Sequence, residues 1–555
     1  MPTYDLVVVG SGAGGMVAAL TAARSGLRTV IVEKSPHYGG STALSGGGVW
    51  LPGNEVLAEH GLPDTRERIL AYLDSTVGDD VPAARRAAFV DAAPAVVSLL
   101  RRATPLVFQH AREYADYYPE RPGGSAVGRT IEPVPFDATR LGVDRDGLNP
   151  PAMRAPFPMP VTARTYRWMN LSGRSLKGAA TGAGALAKGL SGKAVGREWI
   201  AGGQALVAGL RLGLRAAGVE LRTSTPLVDL VVTDGHVTGA VVEVDGERVE
   251  LTARAGVVLA AGGFERNQQM RHAHQSTVID TDWSSAHRDN TGDVHVLGEK
   301  LGAALDLMDE TWWFPSIPSS RRAPAPLLAE RSLPGSLMVN GSGQRFFNEA
   351  MPYMEAGQTI LRLHTEDDPH IPAWLVFDQR YRNHYAFGGG ILPRQALPAR
   401  WYEKGVAHTA DSVAELAASI GVPAERLTAT VARFNLLARH GHDDDFGKGG
   451  SAYDRYYGDP AVRPNPCLAP LEQPPFHAVQ VVPGDLGTCG GLRADEHARV
   501  LRDDDSPIEG LYATGNVAAN AMGRCYPGAG ATIGQASAFG YLAARHAAEG
   551  RTPSG

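Results

Sequence analysis

Residues 4–33 contain the pattern that most restricts the fold of this chain. Residues 4–10 (YDLVVVG) form an apolar run of strand length, and small residues at helical spacing follow as far as Ser25. Residues 28–33 are a second run with strand character. A strand, a helix and a second strand in so short a segment predict a βαβ unit and a parallel sheet.

The turn between the first strand and the helix has the spacing G-x-G-x-x-G. Gly10 permits the tight turn, Gly12 lets a pyrophosphate approach the backbone, and Gly15 lets the helix pack closely against the strand. The helix begins near Ala13 and Gly14, where free N–H groups and the helix dipole favour an anion. The turn therefore predicts the phosphate site of a dinucleotide.

Glu33 supports this interpretation. It ends the second strand, 33 − 15 = 18 residues after Gly15, and an acid at that place suits the ribose hydroxyls. Its neighbour Lys34 is included in the predicted site. The alternative is a plain glycine turn in an α/β protein, which the combination of strand, glycines and acid disfavours.

The rest of the chain alternates between two kinds of pattern. Residues 227–253 are typical of an antiparallel meander, and residues 256–261 return as a buried strand. Residues 286–478 are rich in Pro, Trp and Tyr and are organised differently. Helices are expected at residues 68–73 (capped by Asp64 with Glu67), 204–217, 425–439 and 531–548, and in a short segment capped by Ser412 with Glu415.

Three segments favour FAD over NAD as the dinucleotide. The meander before residues 256–263 resembles the adenine-side layer of flavoproteins with two dinucleotide-binding domains, and residues 513–516 (ATGN) resemble their late ATGD strand. Residues 39–48 (GGSTALSGGG) resemble the loop that passes the isoalloxazine ring in the fumarate reductase/succinate dehydrogenase superfamily. Ser41 stands where respiratory members carry the flavin on a histidine, which implies non-covalent FAD.

The expected fold class is α/β. It comprises a Rossmann-like FAD-binding domain of this flavoprotein type and an inserted α+β catalytic domain. The expected boundaries are 1–285 for the first part of the FAD-binding domain, 286–478 for the insertion and 479–555 for the second part. The further predicted FAD-binding residues are Gly40, Ser41, Thr42, Ser45, Gly46, Gly47, Ala261, Gly262, Gly515, Asn516, Thr532 and Ile533.

The composition argues against several other classes of protein. The net charge of −6 disfavours nucleic acid as the main partner, because a phosphate backbone selects a basic face. The cysteines are too few and too far apart for a disulfide framework or a metal site, so a reducing cytoplasm is expected. Met1 leads almost at once into a strand, and no run of about 18 apolar residues occurs. We therefore expect neither a signal peptide nor a membrane span.

Residues 163–202 are unusually basic. They contain a single acid, Glu198, against the cations Arg164, Arg167, Arg174, Lys177, Lys188, Lys193 and Arg197. Such a face can bind anionic lipid headgroups, so peripheral contact with a membrane is one hypothesis. A solvated loop and helix is the alternative.

Residues 526–530 (YPGAG) precede the last predicted helix. The N terminus of that helix favours an anion, so the Tyr526 hydroxyl and the Gly530 N–H form a candidate donor pair for a developing oxyanion. A Pro-Gly turn with a packed tyrosine is an equal alternative on this pattern alone.

Several longer motifs resemble the 3-ketosteroid Δ1-dehydrogenases. They are SGAGGMVAAL, HYGGSTALSGGGVW, YADYYPERPGG, NEAMPY, VPGDLGTCGGLR and YPGAG. The resemblance runs from about Asp5 to about Arg545 and is weakest near residues 175–200. It implies that Tyr526 and the Gly530 N–H bind the steroid C3 carbonyl. It also implies that Tyr353 removes a proton from C2 while hydride passes from C1 to flavin N5.

The same resemblance implies that Tyr117 assists the base, although Tyr114 and Tyr118 are close enough to leave that role open. An apolar substrate would suit rigid aromatic walls. The candidate wall residues are Trp50, Trp312, Trp313, Phe314 and Phe387, each of which would equally suit the core.

The resemblance implies a 3-ketosteroid substrate and an external electron acceptor, with a quinone as the candidate. Gly528 brings no side chain to the turn, which favours desaturation at C1–C2 over the C4–C5 bond of the Δ4-(5α)-dehydrogenases. Two other functions stay open at this point. A fumarate-reductase-like enzyme would need cationic clamps, for which Arg524 is the nearby candidate, and a flavin-binding redox sensor would need no base.

Overall fold

The computed structural model describes residues 2–151, 157–318 and 324–550. Its largest sheet has eight strands, and its central strands are parallel, as the βαβ pattern predicts. Along the sheet, the six strands of the main path are Arg499–Leu501, Pro507–Ala513, Glu247–Leu259, Thr3–Val9, Thr29–Val32 and Glu220–Arg222. Leu227–Thr233 and His236–Val244 extend it as an antiparallel pair.

The strand Glu247–Leu259 joins the two parts of this sheet. Its first half pairs antiparallel with His236–Val244, and the part from Thr252 onward pairs parallel with Thr3–Val9. The register shifts before Gly256, which has a φ of 113°, a value that glycine adopts readily and other residues rarely adopt. The prediction that the meander ends at residue 253 and a separate strand begins at residue 256 is therefore wrong, because the glycine bends one strand without ending it.

The second sheet has six antiparallel strands. They are Thr311–Ile317, Ala325–Pro326, Ser336–Val339, Ala373–Asp378, Ala407–Ala410 and Phe476–Thr488. The helix Tyr353–Leu363 packs against this sheet. Since Phe476–Thr488 is continuous across residue 478, the expected boundary at 478/479 falls inside a strand, and the division into domains stays a prediction.

The described residues also form three smaller sheets. They are Val49–Trp50 with Thr130–Pro133 and Phe108–His110, Phe136–Asp137 with Trp199–Ile200, and Leu305–Asp306 with Gly491–Leu492. Short 3₁₀ helices occur at Gly78–Asp80, Ala138–Asp144, Thr281–Trp283 and Gly515–Val517.

The α-helices agree with most sequence predictions. The helices are Ala13–Arg24, Gly40–Leu44, Glu55–Glu59, Arg66–Thr76, Ala83–Ala103, Ala163–Met169, Leu176–Ala194, Gly202–Ala216, Gln268–His274, Asp293–Lys300, Tyr353–Leu363, Gln379–His384, Ala399–Glu403, Val413–Ser419, Ala424–His440, Ala452–Tyr456 and Ala531–Glu549. The capping box of Ser412 and Glu415 is confirmed. The one at Asp64 is wrong: Thr65 caps that helix, and Asp64 pairs with Arg129.

Two helices cross at very short range and set the position of the site. A Cβ at Gly540 would lie 2.3 Å from the Gly14 carbonyl oxygen, and one at Gly14 would lie 3.0 Å from the Ala536 oxygen. Glycine at both positions therefore lets Ala13–Arg24 and Ala531–Glu549 pack backbone to backbone. As a result, the N termini of both helices border the same cavity.

Candidate active site

The cavity contains nearly all of the predicted cofactor residues. Those that line it are Gly10, Gly12, Ala13, Gly14, Glu33, Lys34, Gly40, Ser41, Thr42, Ser45, Gly46, Gly47, Ala261, Gly262, Gly515, Asn516, Thr532 and Ile533. Gly15 lies behind them, where a Cβ would come within 2.1 Å of the Gly10 oxygen. Gly15 thus packs the helix against the strand instead of facing the cavity.

The turn at Gly12 has the shape of a phosphate cradle. Gly12 is the N-cap of the helix Ala13–Arg24 and has extended backbone angles that any residue can adopt. The nearest atom to a Cβ at this position is the Thr42 hydroxyl oxygen, at 3.6 Å, so a larger side chain would fill open cavity. The Ala13 N–H donates to that same hydroxyl at 2.9 Å. The space, the helix N terminus and the hydroxyl fit a pyrophosphate.

Glu33 and Lys34 lie at the nucleotide end of the cavity. The buried Glu33 carboxylate accepts hydrogen bonds from the Ser11 N–H at 2.9 Å and from the Ser35 N–H at 3.0 Å. The Lys34 ammonium pairs with Asp293 at 2.7 Å. These contacts fix the Glu33 carboxylate at the edge of the space that a ribose would occupy.

Sequence reasoning missed a segment that borders the cavity. Residues 285–287 and 289–295 line it, and within them the Asn290 amide and the His287 N–H both donate to the Ser41 hydroxyl, at 3.2 and 3.0 Å. The Asn290 amide also donates at 2.6 Å to buried Glu265, whose pKa is raised by burial. The signal available in the sequence was the glycine at position 292. In the structure Gly292 is the N-cap of the helix Asp293–Lys300, with a φ of 78°.

The other end of the cavity is a cluster of tyrosines. Tyr117, Tyr353 and Tyr526 line it, and their rings are mutual neighbours. The ring centroids of Tyr117 lie 5.3 Å from those of both Tyr353 and Tyr526, and the last two are 5.0 Å apart. The structure therefore brings together side chains from three segments that are distant in the sequence.

Tyr526 is held by its own turn and by the helix that follows. The Pro527 carbonyl accepts from the Tyr72 hydroxyl at 2.6 Å and from the Tyr117 N–H at 3.0 Å. The Thr532 hydroxyl donates to the Tyr526 oxygen at 3.1 Å. This bond leaves the Tyr526 hydroxyl hydrogen available to another acceptor.

Gly528 and Gly530 are required by close packing in this turn. A Cβ at Gly528 would lie 2.4 Å from the Trp50 ring, and one at Gly530 would lie 2.2 Å from the Gly48 oxygen. Gly530 also has a φ of 90° as the N-cap of the helix Ala531–Glu549. The turn thus has no room for a side chain at either position.

Burial suppresses ionisation of Tyr117 and Tyr353 in this cluster. It raises the pKa of Tyr117 and of Tyr353 well above the usual value, and it raises the pKa of Tyr114 to about 12. Tyr114 lines the cavity and its hydroxyl lies 3.3 Å from that of Tyr117. Tyr118 lies outside the lining, with its ring beneath the Arg121 guanidinium.

Most of the predicted aromatic walls are wrong. Of the five candidate residues only Phe314 lines the cavity; Trp50, Trp312, Trp313 and Phe387 are buried in the core. Trp312 supports the site indirectly, since its indole N–H donates to the Asn516 side-chain oxygen at 3.1 Å. The other lining residues near the tyrosines are Val161, Thr162, Ala163, Tyr166, Pro324, Pro326, Leu328, Gly389, Tyr457 and Leu486.

The charges around the cavity bear on the substrate class. Among the described residues no arginine lines the cavity, and Arg524 pairs with Asp309 at 2.7 Å outside it. In the same part of the chain, no group of His, Cys, Asp or Glu side chains is arranged to hold a metal ion. The tyrosine end is therefore apolar with hydroxyl donors, and it lacks a clamp for a dicarboxylate.

Comparisons with known proteins agree with this geometry. The FAD binding domain family model matches residues 5–533. The chain is 50% identical over 550 residues to a 3-oxosteroid 1-dehydrogenase of Mycolicibacterium smegmatis, covering 98% of this chain and 96% of the relative. It is 38% identical to a 4-oxocyclohexanecarboxylate 2-dehydrogenase of Sinomonas cyclohexanicum, covering 98% of this chain and 92% of the relative.

A solved structure gives the same result. The 3-ketosteroid Δ1-dehydrogenase from Sterolibacterium denitrificans, in complex with 1,4-androstadiene-3,17-dione, is similar with a TM-score of 0.93 and 40% identity. The similarity covers 99% of this chain and 100% of that one. The chain therefore belongs to the FAD-binding-domain flavoproteins and, among them, to the 3-oxosteroid 1-dehydrogenase family of FAD-dependent oxidoreductases.

Proposed function

We propose that this chain introduces a double bond between C1 and C2 of 3-ketosteroids. The observation that carries the proposal is the meeting of Tyr117, Tyr353 and Tyr526 in an apolar space continuous with the cofactor cradle. FAD held in the cradle at Gly12 would supply the acceptor for the hydride that leaves C1. The protein must then bind the C3 carbonyl, orient ring A and take the proton from C2.

Tyr526 and Gly530 are the proposed donors to the C3 oxygen. The Tyr526 hydroxyl accepts from Thr532, so its hydrogen is available for the carbonyl. Gly530 presents its N–H at the N terminus of the helix Ala531–Glu549, where the helix dipole favours negative charge. Both donors gain strength as charge develops on that oxygen.

Tyr353 is the proposed base and Tyr117 its assistant. The pKa of Tyr353 is raised by burial, which makes its phenolate costly in the resting site. Hydrogen-bond donors at the C3 oxygen lower the barrier to proton removal, because they make the C2 hydrogen more acidic. Tyr117 is the neighbour best placed to stabilise Tyr353, because the hydrogen bond from its side chain favours the ionised form of Tyr353 and so lowers the Tyr353 pKa against the effect of burial.

Non-covalent attachment of FAD is part of the proposal. The residue beside Thr42 is Ser41, whose hydroxyl accepts from the Asn290 amide and the His287 N–H. It offers no imidazole for a covalent link to the flavin. Denaturation of the yellow protein should therefore release the whole of its FAD into the supernatant.

Anaerobic reduction by a steroid tests the function. Adding 4-androstene-3,17-dione should bleach the flavin and give 1,4-androstadiene-3,17-dione, identified by NMR. If a 3-ketosteroid with a saturated ring A gave only the 4-ene product while 4-ene-3-ketones did not react, the enzyme would desaturate C4–C5 and the proposal would be wrong. Bleaching of the flavin by succinate would instead favour the dicarboxylate function. An absence of bleaching with both the steroid and succinate would favour the sensor function.

The electron acceptor is proposed by family analogy to be a quinone. Reoxidation of the bleached enzyme by a soluble quinone, followed by the return of flavin absorbance, tests it. A rate no faster than with dissolved oxygen would contradict the assignment. A cytoplasmic location stays a prediction.

We propose that the helix Leu176–Ala194 makes the peripheral membrane contact. None of the described helices is long and apolar enough to span a bilayer. This helix contains no acidic residue, and its Leu176 and Leu190 side chains are 92% and 52% exposed. Within the basic stretch, Arg167 and Arg174 are paired with Glu113 and Asp459. Lysines and exposed leucines together favour an anionic bilayer surface.

Flotation with anionic vesicles tests the contact. The protein should float with them at low salt, and Lys188→Glu with Lys193→Glu should reduce the floated fraction. Lys300→Glu with Lys404→Glu, the same pair of charge reversals at exposed positions elsewhere, is the control. Equal flotation of all the variants, or none for the parent protein, would contradict the proposal.

A further inference from the structure

A buried carboxylate lies behind the cavity wall at the tyrosine end. Glu132 is 1% exposed and belongs to the strand Thr130–Pro133. It lies outside the cavity lining, but the helix that it contacts, Ala163–Met169, contributes Ala163 and Tyr166 to that lining. Glu132 is therefore one layer of residues away from a ligand bound in the cavity.

The Glu132 carboxylate accepts hydrogen bonds at the start of this helix. The Ala163 N–H donates to one carboxylate oxygen at 2.6 Å, and the Arg164 N–H donates to the other at 3.3 Å. The Gln109 side-chain amide donates to the second oxygen at 3.0 Å. The first N–H groups of a helix have no partner within it, so an acceptor from another segment can hold them. Since this helix has only 7 residues, its position depends on such contacts more than on its own hydrogen bonds.

The same strand also holds the turn that contains Gly530. The Thr130 hydroxyl donates to the Ala529 carbonyl at 2.8 Å. The neighbouring strand contacts the turn as well, because the Trp50 N–H donates to the Gly530 carbonyl at 3.1 Å. Thr130 and Glu132 are alternate residues of one strand, so their side chains point to the same face. The strand therefore connects the proposed donor to the C3 oxygen with the wall helix.

We propose that Glu132 is a positioning residue for the steroid, and that it sets the distance between the wall formed by Ala163 and Tyr166 and the donor at Gly530. It acts on the steroid only through the helix and takes no part in the transfer of the C2 proton or of the hydride. The proposal rests on the proposed function, in which a steroid occupies the tyrosine end of the cavity. Glu132 should therefore contribute to steroid affinity and leave the chemical step nearly unchanged.

The donors around Glu132 require an acceptor at both of its oxygens. Burial raises the pKa of the Glu132 carboxyl, whereas the hydrogen bonds from Ala163, Arg164 and Gln109 oppose that rise because they favour the ionised form. A carboxylate has two acceptor oxygens and no donor, so it can bind all three groups at once. A glutamine has one acceptor oxygen, so one of the two helix N–H groups would lose its partner.

Glu132→Gln tests the proposal in the FAD-loaded protein. Anaerobic stopped-flow reduction at increasing concentrations of 4-androstene-3,17-dione gives the apparent dissociation constant of the steroid and the limiting rate separately. The dissociation constant should rise roughly tenfold, because the wall loses a buried hydrogen bond that holds it in place. The limiting rate should change by less than about threefold, as expected for a loss of uniform binding. The flavin content should equal that of the parent protein.

Asp378→Asn is the matched control. The Asp378 carboxylate is also 1% exposed, and it accepts from the Tyr381 N–H at 3.0 Å at the start of the helix Gln379–His384. It accepts from the Glu472 and Gln473 N–H groups as well, but it lies outside the cavity lining. This variant should have a lower melting temperature and the steroid affinity of the parent. Equal losses of affinity in the two variants would indicate a general effect of stability and would overturn the proposal.

Two other results with Glu132→Gln would overturn it. One is an unchanged dissociation constant, and the other is a fall in the limiting rate as large as the rise in the dissociation constant. Failure of the steroid to bleach the parent protein would instead refute the proposed function, before any variant is compared.

Thr165→Val covers the case in which Glu132→Gln fails to fold. The Thr165 hydroxyl accepts from the Thr162 N–H at 2.9 Å, so it stabilises the start of the same helix, and Thr165 lies outside the cavity lining. Loss of this hydroxyl should weaken steroid affinity roughly threefold. An unchanged affinity in a folded Thr165→Val protein would overturn the proposal.

Discussion

The two ends of the cavity are built in different ways. The cofactor end uses backbone and small residues from short contiguous segments, such as the turn from Gly10 to Gly15 and the loop that contains Ser41 and Thr42. The tyrosine end uses large side chains, including Phe314 and Tyr457, that come from separate segments. The first end is a local property of the chain, whereas the second exists only after the chain has folded.

This difference predicts different kinds of failure. A change at the cofactor end should remove the flavin and with it every reaction. A change at the tyrosine end should leave a yellow, folded protein that reacts slowly. The following variants test the contrast, from the largest expected effect to the smallest.

Gly12→Val should abolish FAD binding. The backbone angles at Gly12 suit any residue, so the fold should survive, but the valine would occupy the phosphate cradle. The ratio of flavin absorbance to protein absorbance measures occupancy. Gly184→Val is the control, since a Cβ there meets nothing within 4 Å. Full occupancy in Gly12→Val would remove the cradle assignment.

Tyr353→Phe should keep FAD and lose about 10²–10⁴-fold in the rate of flavin reduction. The change deletes one hydroxyl from a buried ring and leaves its packing unchanged. Stopped-flow reduction by a 4-ene-3-ketone gives the rate. Tyr512→Phe, whose hydroxyl contacts His546 outside the cavity, should react normally. A fast Tyr353→Phe protein would mean that another group takes the C2 proton.

Tyr526→Phe should slow reduction by about 10²-fold, the cost of one oxyanion donor. Steroid binding should weaken less, by under about tenfold, because a ketone gains less from the donor than an enolate does. Titration with the 1,4-diene product gives the affinity. Equal losses in rate and in affinity would make Tyr526 a binding residue only.

Leu328→Ala should weaken steroid binding roughly tenfold and change the limiting rate little. Leu328 lines the apolar end and has no polar group in its side chain, so it contributes only apolar contact area to the steroid. The exposed Leu392, outside the cavity, provides the matched Leu→Ala control. An unchanged affinity in Leu328→Ala would place the steroid elsewhere in the cavity.

The cofactor end could be predicted from the sequence because its signals are local. A strand, Gly12 at the start of the following helix and Glu33 at the end of the next strand occur within a short stretch of sequence, and together they indicate a dinucleotide site. The late strand and Asn516 were found in the same way, by a short resemblance. The segment 285–295 escaped because it has no strand before it and contributes through Asn290 and a hydrogen-bond network.

The walls of the tyrosine end could not be predicted from composition. A buried tryptophan such as Trp313 and a cavity residue such as its neighbour Phe314 look alike in a sequence, because both are aromatic and apolar. The direction of each side chain depends on the register of Thr311–Ile317 against Phe476–Thr488. Successive residues of a strand point to opposite faces, so one position decides between core and cavity.

The close crossing of Ala13–Arg24 and Ala531–Glu549 has a consequence for biosynthesis. The phosphate turn emerges from the ribosome early, but its packing partner follows more than five hundred residues later. Until then the glycine face of the first helix lacks the helix that covers it. Cofactor capture should therefore be a late, post-translational event, and a message truncated before residue 531 should yield a colourless product for proteolysis.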